Sequence, residues 1–243
     1  VNKEYPTERL TDIKEEITDI QIDDEAMIPK EDVVVLVTKD GYLKRTSFRS
    51  YQATEADGLT LKENDYIIGL YEMSTLDVLL VFTSGGNYLH IPVHMIPDLK
   101  WKDMPKHVSN VIEVPAEEAI ISVIPAYQFE SNKNIITVTR DGLVKRSPLK
   151  DFKLQRYSKA SSCMKLKGDD QLLDAFVEEY NTIMMITDSG YLLTFKTDDI
   201  PVMGVKASGV KGMMIKDDHV VSSATFDYNR HEFLTVITEK GTA

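Results

Sequence analysis

With 243 residues, 42% of them hydrophobic, the chain is long enough to bury a sizeable core, as one large domain or two ordinary ones. A formal net charge of −11 argues against a polyanionic partner for the surface as a whole, and a single cysteine, Cys163, excludes an internal disulfide framework and a CxxC metal knuckle. No apolar run reaches the roughly 18 residues of a membrane span, and the first residues lack the basic-then-apolar order of a secretion signal, which points to a soluble, cytoplasmic protein.

Residues 1–32 hold eleven acids against four bases, so most of the negative charge sits there. Leu10, Ile13, Ile17 and Ile20 fall on one face of a predicted helix over 7–20, a connector from something upstream into the body of the chain. We expect 1–32 to be a linker and 33–243 to be one domain.

From residue 33 the chain repeats itself. "VVVLVTKDGYLKR" at 33, "VLLVFTSGGNYLH" at 78, "IITVTRDGLVKR" at 135, "IMMITDSGYLLTF" at 183 and "FLTVITEKGTA" at 233 share an apolar run, a Thr and a turn glycine. The glycines Gly41, Gly86, Gly142, Gly190 and Gly241 are spaced by 45, 56, 48 and 51 residues. Each copy predicts a β-hairpin with a two-residue type I′ turn, the conformation that favours Asp-Gly and Gly-Gly. A third strand is expected ahead of each later hairpin, at 66, 119, 172 and 219, and the polar stretches between units leave room for a fourth. Three or four short antiparallel strands per unit of about 50 residues match the blades of a propeller. Val33 to Val37 is apolar without alternation, so both faces of that strand must be covered, as they are when blades stack face to face. The fifth copy ends two residues past its glycine, and a disc does not close on half a blade, so a sixth blade is expected in the full domain.

Lys44-Arg45 and Lys145-Arg146 follow their turns at the same distance. Neighbouring residues of a strand point to opposite sides, so both members stay hydrated only at the outer rim. Arg49, Lys150, Lys153, Arg156 and Lys159 continue into the loops that follow, with Phe152 and Tyr157 interleaved. Residues 139–167 hold nine bases and two acids, which brings Lys165 and Lys167 into the same stripe. Lys206 and Lys211 flank a glycine loop that lacks the Gly-Lys-Ser/Thr step of a phosphate-binding motif. Such a stripe tracks a phosphate backbone without reading bases. Edge lysines also protect sheets from aggregation, a structural alternative for the Lys-Arg pairs.

Other chemistries find no support in spacing. His90 and His94 lie on one face of "HIPVH", but Pro92 forbids a helix and no cysteine assists a zinc site. Trp101, between two lysines, reads as packing over a blade edge rather than as a base-stacking platform. The carboxylate pairs Asp169-Asp170, Glu178-Glu179, Asp198-Asp199 and Asp217-Asp218 fall at turns or strand ends. We expect no catalytic residue, cofactor site or metal site in this chain. Two alternatives remain open: a protein-interaction propeller docking through acidic faces, and an enzyme with its site in a central channel. The second needs polar residues on the innermost strands, where the candidates are Val, Ile, Leu and Met.

The series "VVVLVTKDGYLKRTSFRSY", "VLLVFTSGGNYLHIPVHMIPD", "ITVTRDGLVKRSPLKDF" and "IMMITDSGYLLTFKTDDIPVMGVKASGVKGM" resembles the carboxy-terminal domain of the A subunits of bacterial type IIA topoisomerases, from about Val33 to the end. The resemblance implies an all-β fold, a β-pinwheel whose blades exchange a strand, with a basic rim that binds and bends duplex DNA. It implies further partners: the upstream catalytic core of the same polypeptide, and an ATPase B subunit, in a heterotetramer of two copies of each. ATP and Mg are used elsewhere in that assembly, the isolated domain is a monomer without a membrane partner, and the location is cytoplasmic and nucleoid-associated. The family's catalytic tyrosine lies in the upstream core, so none of the eleven tyrosines here takes that role. Gyrase A and topoisomerase IV A are the two branches. The basic box of the gyrase branch is matched here by "YQATEADG" at 51–58, where Gln52 and Gly58 are retained but Glu55 and Asp57 replace cations. That departure resembles the topoisomerase IV branch, with gyrase-like wrapping as the alternative.

Overall fold

The computed structural model describes residues 27–53, 58–115, 117–127, 129, 132–230 and 235. The strands in chain order are β1 (Asp32–Thr38), β2 (Tyr42–Ser47), β3 (Ile67–Ser74), β4 (Val78–Thr83), β5 (Asn87–Pro92), β6 (Lys106–His107), β7 (Ile120–Ala126) and β8 (Asn134–Thr139). They continue with β9 (Leu143–Pro148), β10 (Ser161–Ser162), β11 (Leu172–Val177), β12 (Thr182–Thr187), β13 (Leu192–Lys196), β14 (Val210–Lys211) and β15 (Val220–Phe226). One short helix, α1 (Phe48–Gln52), and several single 3₁₀ turns complete the regular elements among the described residues. The fold is an all-β, propeller-like array. The expected helix over 7–20, the fifth hairpin at 233–241 and the acid-bearing positions 55 and 57 lie outside the described residues.

Among the described residues four antiparallel sheets form, in the strand orders β3-β1-β2-β6, β10-β5-β4-β7, β11-β8-β9-β14 and β13-β12-β15. Each sheet is built on one hairpin of the repeat. Contrary to expectation, the third strand belongs to the hairpin before it and not to the one after: β3 pairs with β1, β7 with β4, β11 with β8 and β15 with β12. Linear order cannot decide this, because the strand lies between two hairpins and either can accept it. The fourth strand comes from further on. Tyr42 of the first hairpin pairs with His107, Tyr88 of the second with Ser161 and Val144 of the third with Val210. Each of these short strands follows the next hairpin in sequence, so consecutive sheets are joined by exchange.

The middle strands are buried on both faces, as their unbroken apolar runs require. Val35 and Val37 of β1 meet Leu79 and Val81 of β4 in one cluster, and Leu80 and Phe82 on the opposite face of β4 meet Ile135 of β8 in the next. Ile136 and Val138 then pack with Ile183 and Met185 of β12. Each fully buried side chain of this kind contributes about 1.5–3 kcal/mol relative to exposure. The face of β1 turned away from the second sheet carries Val34 and Leu36 and is covered by Trp101, Phe48, Tyr51, Leu59 and Leu61. In the fourth sheet no exchanged strand lies on β13 among the described residues, and Leu192 and Leu193 are exposed there, whereas the equivalent Leu89 of β5 is buried.

The turns differ from expectation in a way that accounts for the repeated Thr. Three residues separate the strands in the first three hairpins and four in the fourth, and only the glycine has positive φ: 85° at Gly41, 75° at Gly86, 80° at Gly142 and 84° at Gly190. A type I′ turn would need two such residues; a three-residue loop closed by one left-handed glycine needs one. The glycine N–H donates to the Thr carbonyl at 2.9–3.1 Å in all four. The Thr hydroxyl then accepts the next N–H in three of them, from Tyr42, Leu143 and Tyr191 at 3.1, 3.1 and 3.2 Å. The hydroxyl is buried with the strand end, so this bond replaces water.

The third strands are where successive sheets touch, and their polar side chains take part. Tyr71 donates to the Val123 carbonyl at 3.1 Å, Ser122 donates to the Ala175 carbonyl, and Ser223 donates to Asp174 at 3.3 Å. These polar groups tie one sheet to the next.

Candidate nucleic-acid interface

Exchange decides where the cations go. After its second strand each hairpin runs through a short helical turn (α1, or 3₁₀ turns at Val93–Met95, Leu149–Phe152 and Thr197–Asp199). For the second, third and fourth hairpins the chain then crosses the outer edge of the preceding sheet to deliver the fourth strand. Parallel bridges mark the crossings, Arg45 to Asp98 and Arg146 to Val202. Cations of one unit therefore stand on the rim of the unit before it.

Arg49, Lys150, Lys153, Arg156, Lys159, Lys165, Lys167, Lys206 and Lys211 are exposed, and among the described residues none of them forms an ion pair. The segments carrying Lys165 and Lys206 touch directly, the Lys165 N–H donating to the Ala207 carbonyl at 3.3 Å. This brings the cations of two crossing loops onto one stretch of rim. Lys100, Lys102 and Lys106, which the sequence did not single out, are equally exposed on the first crossing loop. A signal for them exists in the repeat: Lys100 follows Gly86 by fourteen residues, as Arg156 follows Gly142.

Four of the expected rim cations are placed otherwise. Lys44 and Lys145 are 0% exposed. Strands β2 and β9 are not edges, because β6 and β14 lie against them, so the expected hydrated positions do not exist. Lys44 Nζ donates to the carbonyls of Asp103 at 2.7 Å, Lys100 at 3.5 Å and Trp101, and stands 5.1 Å from the Trp101 ring centre. Lys145 Nζ donates to the carbonyls of Cys163 and Val205. Burial lowers both ammonium pKa values, that of Lys145 to about 8. A buried ammonium does not reach a phosphate. Arg146 is spent on Glu178 at 3.0 Å and Asp198 at 2.9 Å. Arg45 is half-buried, with its Nε unpartnered under the crossing loop.

The aromatic residues between the cations also turn inward. Phe152 is fully buried against Phe82 and Tyr88, with ring centres 5.9 and 5.1 Å apart. Tyr157 stacks on His90 at 5.5 Å, and Phe129 stacks on the same ring at 5.6 Å. Burial pushes the His90 pKa down to about 4, so this ring is neutral at pH 7 and packs as an aromatic. Burial likewise pushes the Cys163 thiol up to about 12, where it is inert. Among the described residues no group of three His, Cys, Asp or Glu side chains is placed to hold a metal ion, and no helix is long and apolar enough to cross a membrane.

Strand-exchanged sheets with basic crossing loops define a propeller-like domain of a particular class. The chain belongs to the family described as the DNA gyrase C-terminal domain, beta-propeller, whose model matches residues 32–71, 77–126, 133–177 and 181–226, one block per sheet. It is 41% identical over 242 residues to the A subunit of DNA topoisomerase 4 from Bacillus subtilis (strain 168), and 35% identical over 243 residues to that of Staphylococcus aureus (strain MRSA252). Each comparison covers 99% of the chain but 30% of the relative, so the chain spans under a third of their length. A crystal structure of the C-terminal domain of DNA topoisomerase IV matches with TM-score 0.77 and 46% identity, over 81% of this chain and 62% of that one. The C-terminal domain of DNA gyrase A shares the fold at TM-score 0.56 and 22% identity, over 79% of this chain and 64% of that one.

Proposed function

We propose that the crossing loops bind duplex DNA through its phosphates, without reading base sequence, and bend it along the rim. One observation carries this reading: a chain of net charge −11 holds exposed, unpaired cations from Lys150 to Lys211 on two crossing loops that touch. Each phosphate neutralised releases counterions and adds about −0.9 to the slope of log affinity against log salt. Bending a site of 20–30 base pairs by 40–90° costs on the order of 1–6 kcal/mol, which several such phosphate interactions offset.

The identity to topoisomerase 4 along the whole chain supports the topoisomerase IV branch. In this reading residues 1–32 link to an upstream catalytic core and 33–243 form the DNA-binding domain. The domain presents DNA segments for ATP-dependent strand passage, in decatenation and supercoil relaxation, within a cytoplasmic assembly of two A and two B subunits. The bond-breaking chemistry, with its ATP and Mg, belongs to the other parts. The test is end-to-end energy transfer across a short duplex, with a salt titration alongside. Bending with steep salt dependence is the expected result, and absence of salt-sensitive binding would overturn the proposal.

A further inference from the structure

Lys44 and Lys145 share one position in the repeat, three residues after the turn glycine, and the second hairpin puts Leu89 there. All three side chains are fully buried. Leucine fills the site without taking a charge out of water, so the core does not need an ammonium at this place. Both lysines also lack a carboxylate partner within ion-pair distance among the described residues. Their N–H groups go instead to backbone carbonyls of segments that have no regular ladder of their own. Lys44 holds the carbonyls of Lys100, Trp101 and Asp103. Lys145 holds Cys163 and Val205 together, one from each of the two segments that carry Lys165 and Lys206. In the second sheet, where leucine stands, the crossing loop is fixed by Tyr157 stacked on His90. Trp101, Tyr157 and Val205 each lie fifteen residues after a turn glycine. Each of the three crossing loops among the described residues thus has an anchor at one repeat position, and two of the three anchors are clamped by a buried ammonium.

We infer that Lys44 and Lys145 are positioning residues of the DNA-binding rim: each fixes the backbone of a crossing loop so that the loop's exposed cations meet the phosphates as a preformed array. This rests on the DNA-binding reading above. A preformed loop binds without first losing its conformational freedom, whereas a loosened loop reaches the same phosphates at lower affinity. The number of phosphates neutralised, and so the salt slope, does not change.

The test compares Lys44→Met and Lys145→Met with the wild-type chain for binding to a short duplex over a salt series. Circular dichroism confirms that each variant is folded, and hydrogen exchange of the loop amides is read without DNA. The expected result is affinity about tenfold weaker at every salt concentration with an unchanged slope, and faster exchange at 102–107 for Lys44→Met. A slope flatter by about 0.9 would make the lysine a direct phosphate ligand and overturn the inference. Unchanged affinity in a folded variant would reduce the lysine to a stability element and also overturn it. Should a methionine variant fail to fold, Lys44→Leu and Lys145→Leu, which put in the residue that fills the equivalent buried site of the second hairpin, replace it and are judged by the same slope and affinity. If the wild-type chain binds no duplex, the functional reading fails first, and the exchange comparison alone decides whether the lysines fix the loops.

Discussion

Asp170 accepts the backbone N–H of Asp141 at 3.0 Å, so a carboxylate leading into β11 closes the turn of the β8–β9 hairpin. The same oxygen takes the N–H of Gln171 at 2.8 Å. Asp65 does this for Asp40 at 3.0 Å, and Asp218 for Ser189 at 3.3 Å. In the pairs Asp169-Asp170 and Asp217-Asp218 it is therefore the second acid that locks a turn. Asp170→Ala leaves the turn N–H without its charged acceptor and is expected to destabilise by about 1–3 kcal/mol. Asp169→Ala, an exposed neighbour, should stay within about 0.5 kcal/mol of wild type. Urea unfolding of the two variants separates them.

Reversal of Lys150, Lys153, Arg156 and Lys159 to glutamate removes four exposed cations that no acid offsets among the described residues. Every phosphate no longer neutralised flattens the salt slope by about 0.9, so the variant should lose several units of slope together with most of its affinity. Fluorescence anisotropy on a short duplex over a salt series reads both. An unchanged slope places the DNA elsewhere on the domain.

Lys100, Lys102 and Lys106 make a second prediction about the same path. If DNA follows consecutive crossing loops, their joint reversal flattens the slope by a further two to three times about 0.9. Lys62 is the control. It is exposed but its charge is paired with Asp40 at 3.2 Å, and Lys62→Glu should leave the slope unchanged. Equal effects from both would mean that binding follows net charge rather than position.

The hairpins are legible in the sequence because every feature of the turn is local: the apolar run, the Thr hydroxyl, the glycine at positive φ. Strand allotment is not. Whether Ile67–Ser74 joins the hairpin before or after it is settled by tertiary pairing, and both offer an edge. The cations are half legible. Exposure of Lys150 to Lys159 follows from their place in a loop, but charge alone makes Lys44 and Lys145 look like surface residues, since their carbonyl partners lie 18 to 60 residues away in sequence. Leu89 is the available clue. Leucine fills this position in two of the four described hairpins, which marks it as interior wherever an exchanged strand covers the sheet, and lysine there in the first and third hairpins is buried.

Asp174 sets a pH dependence on the junction of the third and fourth sheets. Burial raises its pKa from an ordinary 3.8 to about 6, despite hydrogen bonds from Ala175 and Ser223 that favour the charged form. An acid whose pKa is raised on folding binds its proton more tightly in the folded state. Folding is therefore penalised at neutral pH, and the penalty is relieved as pH falls from about 6 to about 4. A two-unit shift corresponds to about 2–3 kcal/mol. Glu178 runs the other way: burial raises its pKa, but hydrogen bonds from Thr197, Asn134 and Arg146 outweigh that and leave it lowered, so its contribution is lost only below the ordinary glutamate range. Asp174→Asn should accordingly be more stable than wild type at pH 7 and lose most of that advantage by about pH 4.5. Urea midpoints at the two pH values check it, and a constant difference between the proteins would refute the assignment.

The exchanged segments give the turn glycines a second task, and the fourth hairpin isolates it. A Cβ on Gly142 would stand 2.7 Å from the Met213 carbonyl oxygen, because the chain entering and leaving β14 lies directly on the turn. The Gly142 carbonyl also accepts the N–H groups of Gly212 and Met213 at 2.9 and 3.1 Å. A side chain there must therefore both adopt positive φ and push the exchanged strand away. Gly190 has nearly the same φ, 84° against 80°, but nothing lies within 4 Å of its Cβ position among the described residues. Gly190→Ala isolates the backbone term, about 1–2 kcal/mol. Gly142→Ala adds displacement of the exchanged strand, for a total of about 3 kcal/mol or more. Urea unfolding measures both, and hydrogen exchange at Val210–Lys211 should accelerate only in Gly142→Ala. Equal destabilisation with no change in exchange would mean that the strand yields without cost, and that exchange between sheets holds the domain together less firmly than the register implies.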